Sequence, residues 1–128
     1  MIHILGQQNS IFNTFLAQVR DRSVQTDSMR FRRNMERIGE IMSYEISKTL
    51  NYATTAVETP LGESEMSLVS DKIVIATVLR AGLPLHQGFL NYFDNAQSAF
   101  VAASNLLDTT ATRMPFSRRA ARTARMPS

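Results

Sequence analysis

The apolar positions of the chain change their spacing from helical to extended and back. Phe12, Phe15, Leu16 and Val19 share one helical face behind Asn9 or Ser10, either of which can cap a helix, and Arg20-Asp21-Arg22-Ser23 closes the segment. Asp27 can cap a second, longer helix reaching about Leu50, whose stripe is Phe31, Met35, Ile38, Met42, Ile46 and Leu50 with Ile41 alongside. Residues 53–59 are rich in β-branched side chains and predict a strand; Pro60-Leu61-Gly62 predicts a turn, and residues 65–69 a short partner, so the two form a hairpin. Residues 72–80 are almost unbroken apolar and β-branched. Such a run predicts a strand buried on both faces, as in a parallel sheet covered by helices. Pro84 suits the first position of a helix on which Leu85, Phe89, Tyr92 and Phe93 face the sheet, and Asp94-Asn95 ends it before a short strand at 99–102. The expected fold class is α/β: two N-terminal helices, a β-hairpin and part of a parallel sheet. From Ser104 no helical or strand period is visible.

Charge divides the chain at the same place. Its 128 residues suffice for one domain and one modest core. The net charge is +3, yet residues 1–103 hold nine Lys or Arg against ten Asp or Glu, a net of −1, and residues 104–128 hold five Arg against one Asp, a net of +4. The basic balance therefore belongs to the tail, and the body gives little support for nucleic acid as a partner. Residues 117–125, Arg- and Ala-rich without an acidic residue, bury too little apolar surface to offset ordering and predict disorder or a frayed helix. There is no cysteine, which fits a reducing cytoplasm and excludes thiolate chemistry. The N-terminus lacks the basic flank and apolar core of a signal peptide, and no apolar run approaches the roughly 20 residues that span a bilayer, so no membrane partner is expected.

Few residues offer chemistry. His3 and His86 are far apart and have no carboxylate or second histidine at metal-ligand spacing. His86 follows close on the end of the long strand and could approach a ligand, although a surface or partly packed histidine is the commoner case. No Walker or Rossmann phosphate loop and no nucleophile elbow is present. Arg30, Arg33 and Arg37 could form a phosphate-binding face, but Glu36 and Glu40 are interleaved with them, which favours a solvated or subunit-contact face with local ion pairs. Arg80 stands at the C-terminal end of the long strand, where open α/β sheets bind ligands. From the pattern alone it either pairs with a nearby carboxylate or grips an anion together with the N–H groups of Ala81 and Gly82 and the following helix N-terminus. Gly82 would let the backbone turn sharply and come close to a bound group.

Val78-Leu79-Arg80-Ala81-Gly82-Leu83, continuing through Gly88-Phe89-Leu90-Asn91, resembles the pyrophosphate-binding loop of uracil phosphoribosyltransferase. Met29-Arg30-Phe31-Arg32-Arg33-Asn34 and Tyr44-Glu45-Ile46-Ser47 resemble the N-terminal helix region of that family. The resemblance covers about residues 1–103, so those residues are expected to form the N-terminal part of a phosphoribosyltransferase domain and residues 104–128 a basic, disordered tail without family resemblance. It implies transfer of ribose 5-phosphate from 5-phosphoribosyl diphosphate (PRPP) to uracil, giving uridine monophosphate and diphosphate in pyrimidine salvage. It also implies assistance by Mg2+, a homodimer, and a strained peptide in the loop. Arg80, Ala81 and Gly82 are the residues it assigns to the diphosphate. A later Tyr-Arg segment, the ribose-phosphate loop and the uracil-binding hood have no counterpart. The expectation is thus an incomplete phosphoribosyltransferase-like fold, inactive alone and marginally stable, with the tail a reading-frame product. The alternatives are a non-catalytic fragment pairing with a full-length subunit, or a weak nucleic-acid binder acting through the Arg-rich tail.

Overall fold

The computed structural model describes residues 1–102. The tail expected at 104–128, with its Arg-rich stretch, lies outside the described residues. After a single 3₁₀ turn at Leu5–Gln7, the elements are α1 (Ile11–Arg20), α2 (Ser28–Ser47), β1 (Tyr52–Thr59), β2 (Gly62–Val69), β3 (Val74–Leu79), α3 (Leu83–Tyr92) and β4 (Gln97–Ala102). Both helix starts follow the capping logic of the sequence. Ser10 Oγ accepts the Phe12 N–H at 3.3 Å, and Asp27 Oδ1 accepts the Arg30 N–H at 3.1 Å. The second helix ends at Ser47, short of Leu50, because the chain tightens there into i,i+3 bonds through Thr49 and Leu50.

Among the described residues two separate two-stranded sheets form. The β1–β2 hairpin is antiparallel, pairing Tyr52 with Val69 and Thr59 with Gly62. Gly62, at φ +125°, takes a backbone conformation that disfavours a side chain. Nearly every hairpin residue is exposed. The arm is held at its base, where Asp71 accepts the Asn51 backbone N–H at 2.7 Å and its side-chain N–H at 3.0 Å, and where Tyr52 donates to the Ser47 carbonyl at 2.7 Å. The two Asn51 hydrogen bonds hold the Asp71 carboxyl below its ordinary pKa.

The second sheet pairs β3 with β4 in parallel, Val74 opposite Gln97 and Leu79 opposite Ala102, with α3 as the crossover. Here the sequence-based expectation is corrected. Among the described residues the long strand is covered on one face only. Ile73, Ile75, Thr77 and Leu79 turn inward, whereas Val74 and Val78 are 59% and 54% exposed. Among the described residues α3 is the helix that packs on β3, so the apolar run records two faces but one layer covers it.

The core runs through α2, which packs on α1 and more extensively on α3. Its deepest residues are Asn34, Ile38, Gly39 and Ser43; of the expected apolar stripe Ile38 is among them, whereas Ile46 is exposed. Small residues win this face because α3 comes too close for large ones. A Cβ on Gly39 would lie 2.6 Å from the Leu85 carbonyl oxygen, and one on Gly88 would penetrate the Glu36 carbonyl. Of the helix residues expected to face the sheet, Leu85, Phe89 and Phe93 are half-buried, but Tyr92 is exposed.

Candidate functional site

The end of β3 and the start of α3 are joined by three residues, Arg80, Ala81 and Gly82. The Leu79–Arg80 peptide is cis. The Gly82 N–H donates to the Val78 carbonyl at 3.2 Å, and the Leu83 N–H to the Arg80 carbonyl at 3.1 Å. The turn's own hydrogen bonds thus use the amides of Gly82 and Leu83 and not those of Arg80 and Ala81. Gly82 has an ordinary right-handed φ of −77°, so a sharp backbone bend is not what requires glycine here. Space requires it: a Cβ would lie 2.7 Å from Thr77 Cγ2 and 2.8 Å from the Val78 carbonyl oxygen.

Pro84 falls in the first turn of α3, and no side chain caps the helix at Gly82. Arg80 is exposed, and among the described residues it forms no ion pair and no side-chain hydrogen bond. This contrasts with the arginines of α2. Arg30 lies 3.6 Å from Asp27, Arg33 lies 3.2 Å from Glu36 and 3.3 Å from Glu40, and Arg37 donates to Asn34 at 3.2 Å while resting on the Phe15 ring. The interleaved acids therefore engage that face as the charge pattern anticipates.

His86 is not on the surface. It is 5% exposed, one helical turn past Gly82, with its backbone N–H donated to the Gly82 carbonyl at 2.9 Å. Nδ1 lies 2.5 Å from Thr77 Oγ1 on β3, and Nε2 lies 3.0 Å from Ser98 Oγ on β4. The ring also packs at 4.9 Å from Phe100. A neutral imidazole supplies one donor and one acceptor, and each hydroxyl can take either complementary role, so both nitrogens are satisfied in either tautomer. No Asp, Glu, Lys or Arg occurs on β3, α3 or β4. Burial without a compensating charge holds the His86 pKa below its ordinary 6.5. The native state then keeps the ring neutral while the unfolded chain takes up a proton below about pH 6.5. Stability contributed by His86 is complete above that pH and declines as pH falls through it. Denaturant midpoints of the parent and His86→Gln are expected to converge between pH 8 and pH 5; parallel profiles would contradict this.

Only the alternating burial of β3 could have signalled the histidine's position: Thr77 is inward, and His86 follows on the helix that returns over it. Among the described residues no group of three His, Cys, Asp or Glu converges to hold a metal ion. No helix among them is long and apolar enough to cross a membrane.

Two parallel strands joined by a crossover helix, with an exposed arginine just past the end of the first strand, define an α/β protein. The family to which this one is matched is uracil phosphoribosyltransferase, whose profile fits residues 7–118 and so runs past residue 103. A uracil phosphoribosyltransferase of Porphyromonas gingivalis is 55% identical over 103 residues, covering 80% of this chain and 47% of that protein. One from Pyrococcus furiosus is 41% identical over 91 residues, covering 70% of this chain and 38% of that protein. In fold, the AQ2163 protein of Aquifex aeolicus matches with a TM-score of 0.72 at 24% identity, over 85% of this chain and 51% of that one. The chain belongs to the uracil phosphoribosyltransferase family, and it spans about half or less of the length of these curated relatives.

Proposed function

We propose that the Arg80 turn binds the diphosphate group of PRPP, and that the chain serves transfer of the phosphoribosyl group to uracil in cytoplasmic pyrimidine salvage. The observation that carries this is Arg80 itself, exposed and without an acidic partner among the described residues, at the ligand edge of a sheet in a chain of this family. A planar guanidinium can hold two diphosphate oxygens at once, the Ala81 N–H adds a donor that the turn does not use, and the uncapped α3 N-terminus favours negative charge. Gly82 contributes the room in which β3 and α3 meet.

Mg2+ is implied by the family. Among the described residues there is no protein-held site for it: β3, the turn and α3 carry no carboxylate, and Arg80 is a cation. A second copy of the chain is the proposed partner, supported by the exposed large apolar side chains Met66 and Leu68 on the hairpin and Tyr44 on α2.

Calorimetric titration of the full chain with inorganic diphosphate tests the site. Charge-assisted hydrogen bonds contribute about 1.5–3 kcal/mol, so Arg80→Ala is expected to weaken binding by about 10- to 100-fold. Arg80→Lys keeps the charge but not the fork, and is expected to recover only part of the loss. Equal affinity in parent and Arg80→Ala would refute the assignment.

A further inference from the structure

The Thr77–His86–Ser98 bridge, buried at Thr77 and His86 and reaching the surface at Ser98, is not accounted for by diphosphate binding, and its place in the fold is specific. Thr77 lies on β3 three residues before Arg80, and His86 lies on α3 six residues after it. Ser98 lies on the neighbouring strand β4. The turn that carries Arg80 is thus a loop whose two stems are joined through one imidazole, and the same ring ties both stems to the next strand. The His86 backbone N–H bonded to Gly82 and the Gly82 N–H bonded to Val78 continue the connection along the backbone into the turn.

We propose that His86 is a positioning residue for anion binding: by joining β3, β4 and the first turn of α3, it fixes the separation of the two stems and so the place of Arg80 and the Ala81 amide. This rests on the diphosphate assignment above. A bridge between stems is the kind of support that such a site requires. Displacing a binding group by a fraction of an ångström weakens multidentate recognition, and a misplacement of about 1 Å can cost on the order of 100-fold. The Thr77 and Ser98 hydroxyls are the partners that set the ring's orientation, and Phe100 limits its tilt.

The test compares the full chain with His86→Leu, His86→Gln and Arg80→Ala by titration with inorganic diphosphate, with folding followed by circular dichroism and thermal melting. His86→Leu fills the space without either hydrogen bond and is expected to raise the diphosphate Kd about tenfold or more while remaining folded. His86→Gln, which keeps a donor and an acceptor, is expected to bind more tightly than His86→Leu even where the two melt alike, and that rescue is what mere packing would not produce. Should His86→Leu fail to fold, the amide resonances of Ala81 and Gly82 in His86→Gln supply the second readout. They are expected to remain at their parent positions and to shift on adding diphosphate, and amides displaced in free His86→Gln with affinity unchanged would overturn the proposal. Parent-like diphosphate affinity in folded His86→Leu, with binding lost in Arg80→Ala, would also overturn it and leave the diphosphate assignment standing. Absence of binding by the parent would overturn both.

Discussion

Gly88→Ala is expected to lower the stability of the chain by about 3 kcal/mol, the upper end of what overpacking costs. The added methyl would enter the Glu36 carbonyl and sit 3.0 Å from both the Glu36 carbonyl carbon and the Glu40 backbone nitrogen. All three are backbone atoms of α2, so no side chain can rotate away. Relief requires α3 to move off α2, which would also loosen Asn91, whose amide donates to Glu36 at 2.8 Å and Glu40 at 3.0 Å. Gly6→Ala is the control, because its nearest neighbour would be a Leu16 methyl at 3.7 Å, an ordinary contact. Thermal or denaturant melts of the two variants should therefore separate widely. A Gly88→Ala protein melting within about two degrees of the parent would show that the helices do not cross this closely.

Asn34→Leu is expected to cost about 2 kcal/mol despite the similar volume of the two side chains. Asn34 is 0% exposed, on the face of α2 that meets α1. Its Nδ2 donates to Gln18 Oε1 at 2.8 Å, and its Oδ1 accepts from Arg37 at 3.2 Å. Leucine would leave the part-buried Gln18 oxygen and one guanidinium N–H without these partners. Gln18→Met alone should cost less, since Gln18 is nearer solvent. The double variant should be less destabilised than the two single costs added together, because the oxygen left unpaired is then gone. Additive losses in denaturant titrations would contradict the coupling.

Sequence patterning stops where the packing of α2 on α3 begins. A helical period in α2 and an extended run in β3 are local properties, and both elements form where side-chain spacing places them. Caps at Ser10 and Asp27 are local as well. Which side of α2 lies deepest is not local: it depends on Gly39 meeting Gly88 across a sequence distance that no period encodes. An apolar stripe through Met42 and Ile46 thus gives the helix but not its rotation. Arg80 was legible as an exposed residue at a strand end, because that position is itself a pattern. The place of His86 was not legible, because its partners, Thr77 and Ser98, are polar residues inside apolar segments and become neighbours only through the parallel register. The one-sided cover of β3 was equally invisible, since composition cannot say how many layers pack on a strand.

The hairpin has a consequence of its own for how the molecule opens. Its eight cross-strand pairs and the Asn51–Asp71 clasp are nearly all that hold it, and it shares little buried surface with the helices. Its opening free energy is therefore its own, decoupled from that of the α2–α3 crossing. The ladder amides can exchange with solvent deuterium through small fluctuations that expose little new surface and so depend weakly on denaturant. The amides of Gly39 and Ser43 must wait for the helices to part, an event whose frequency rises steeply with denaturant. One chain thus carries two clocks, a fast one in the arm and a slow one in the body.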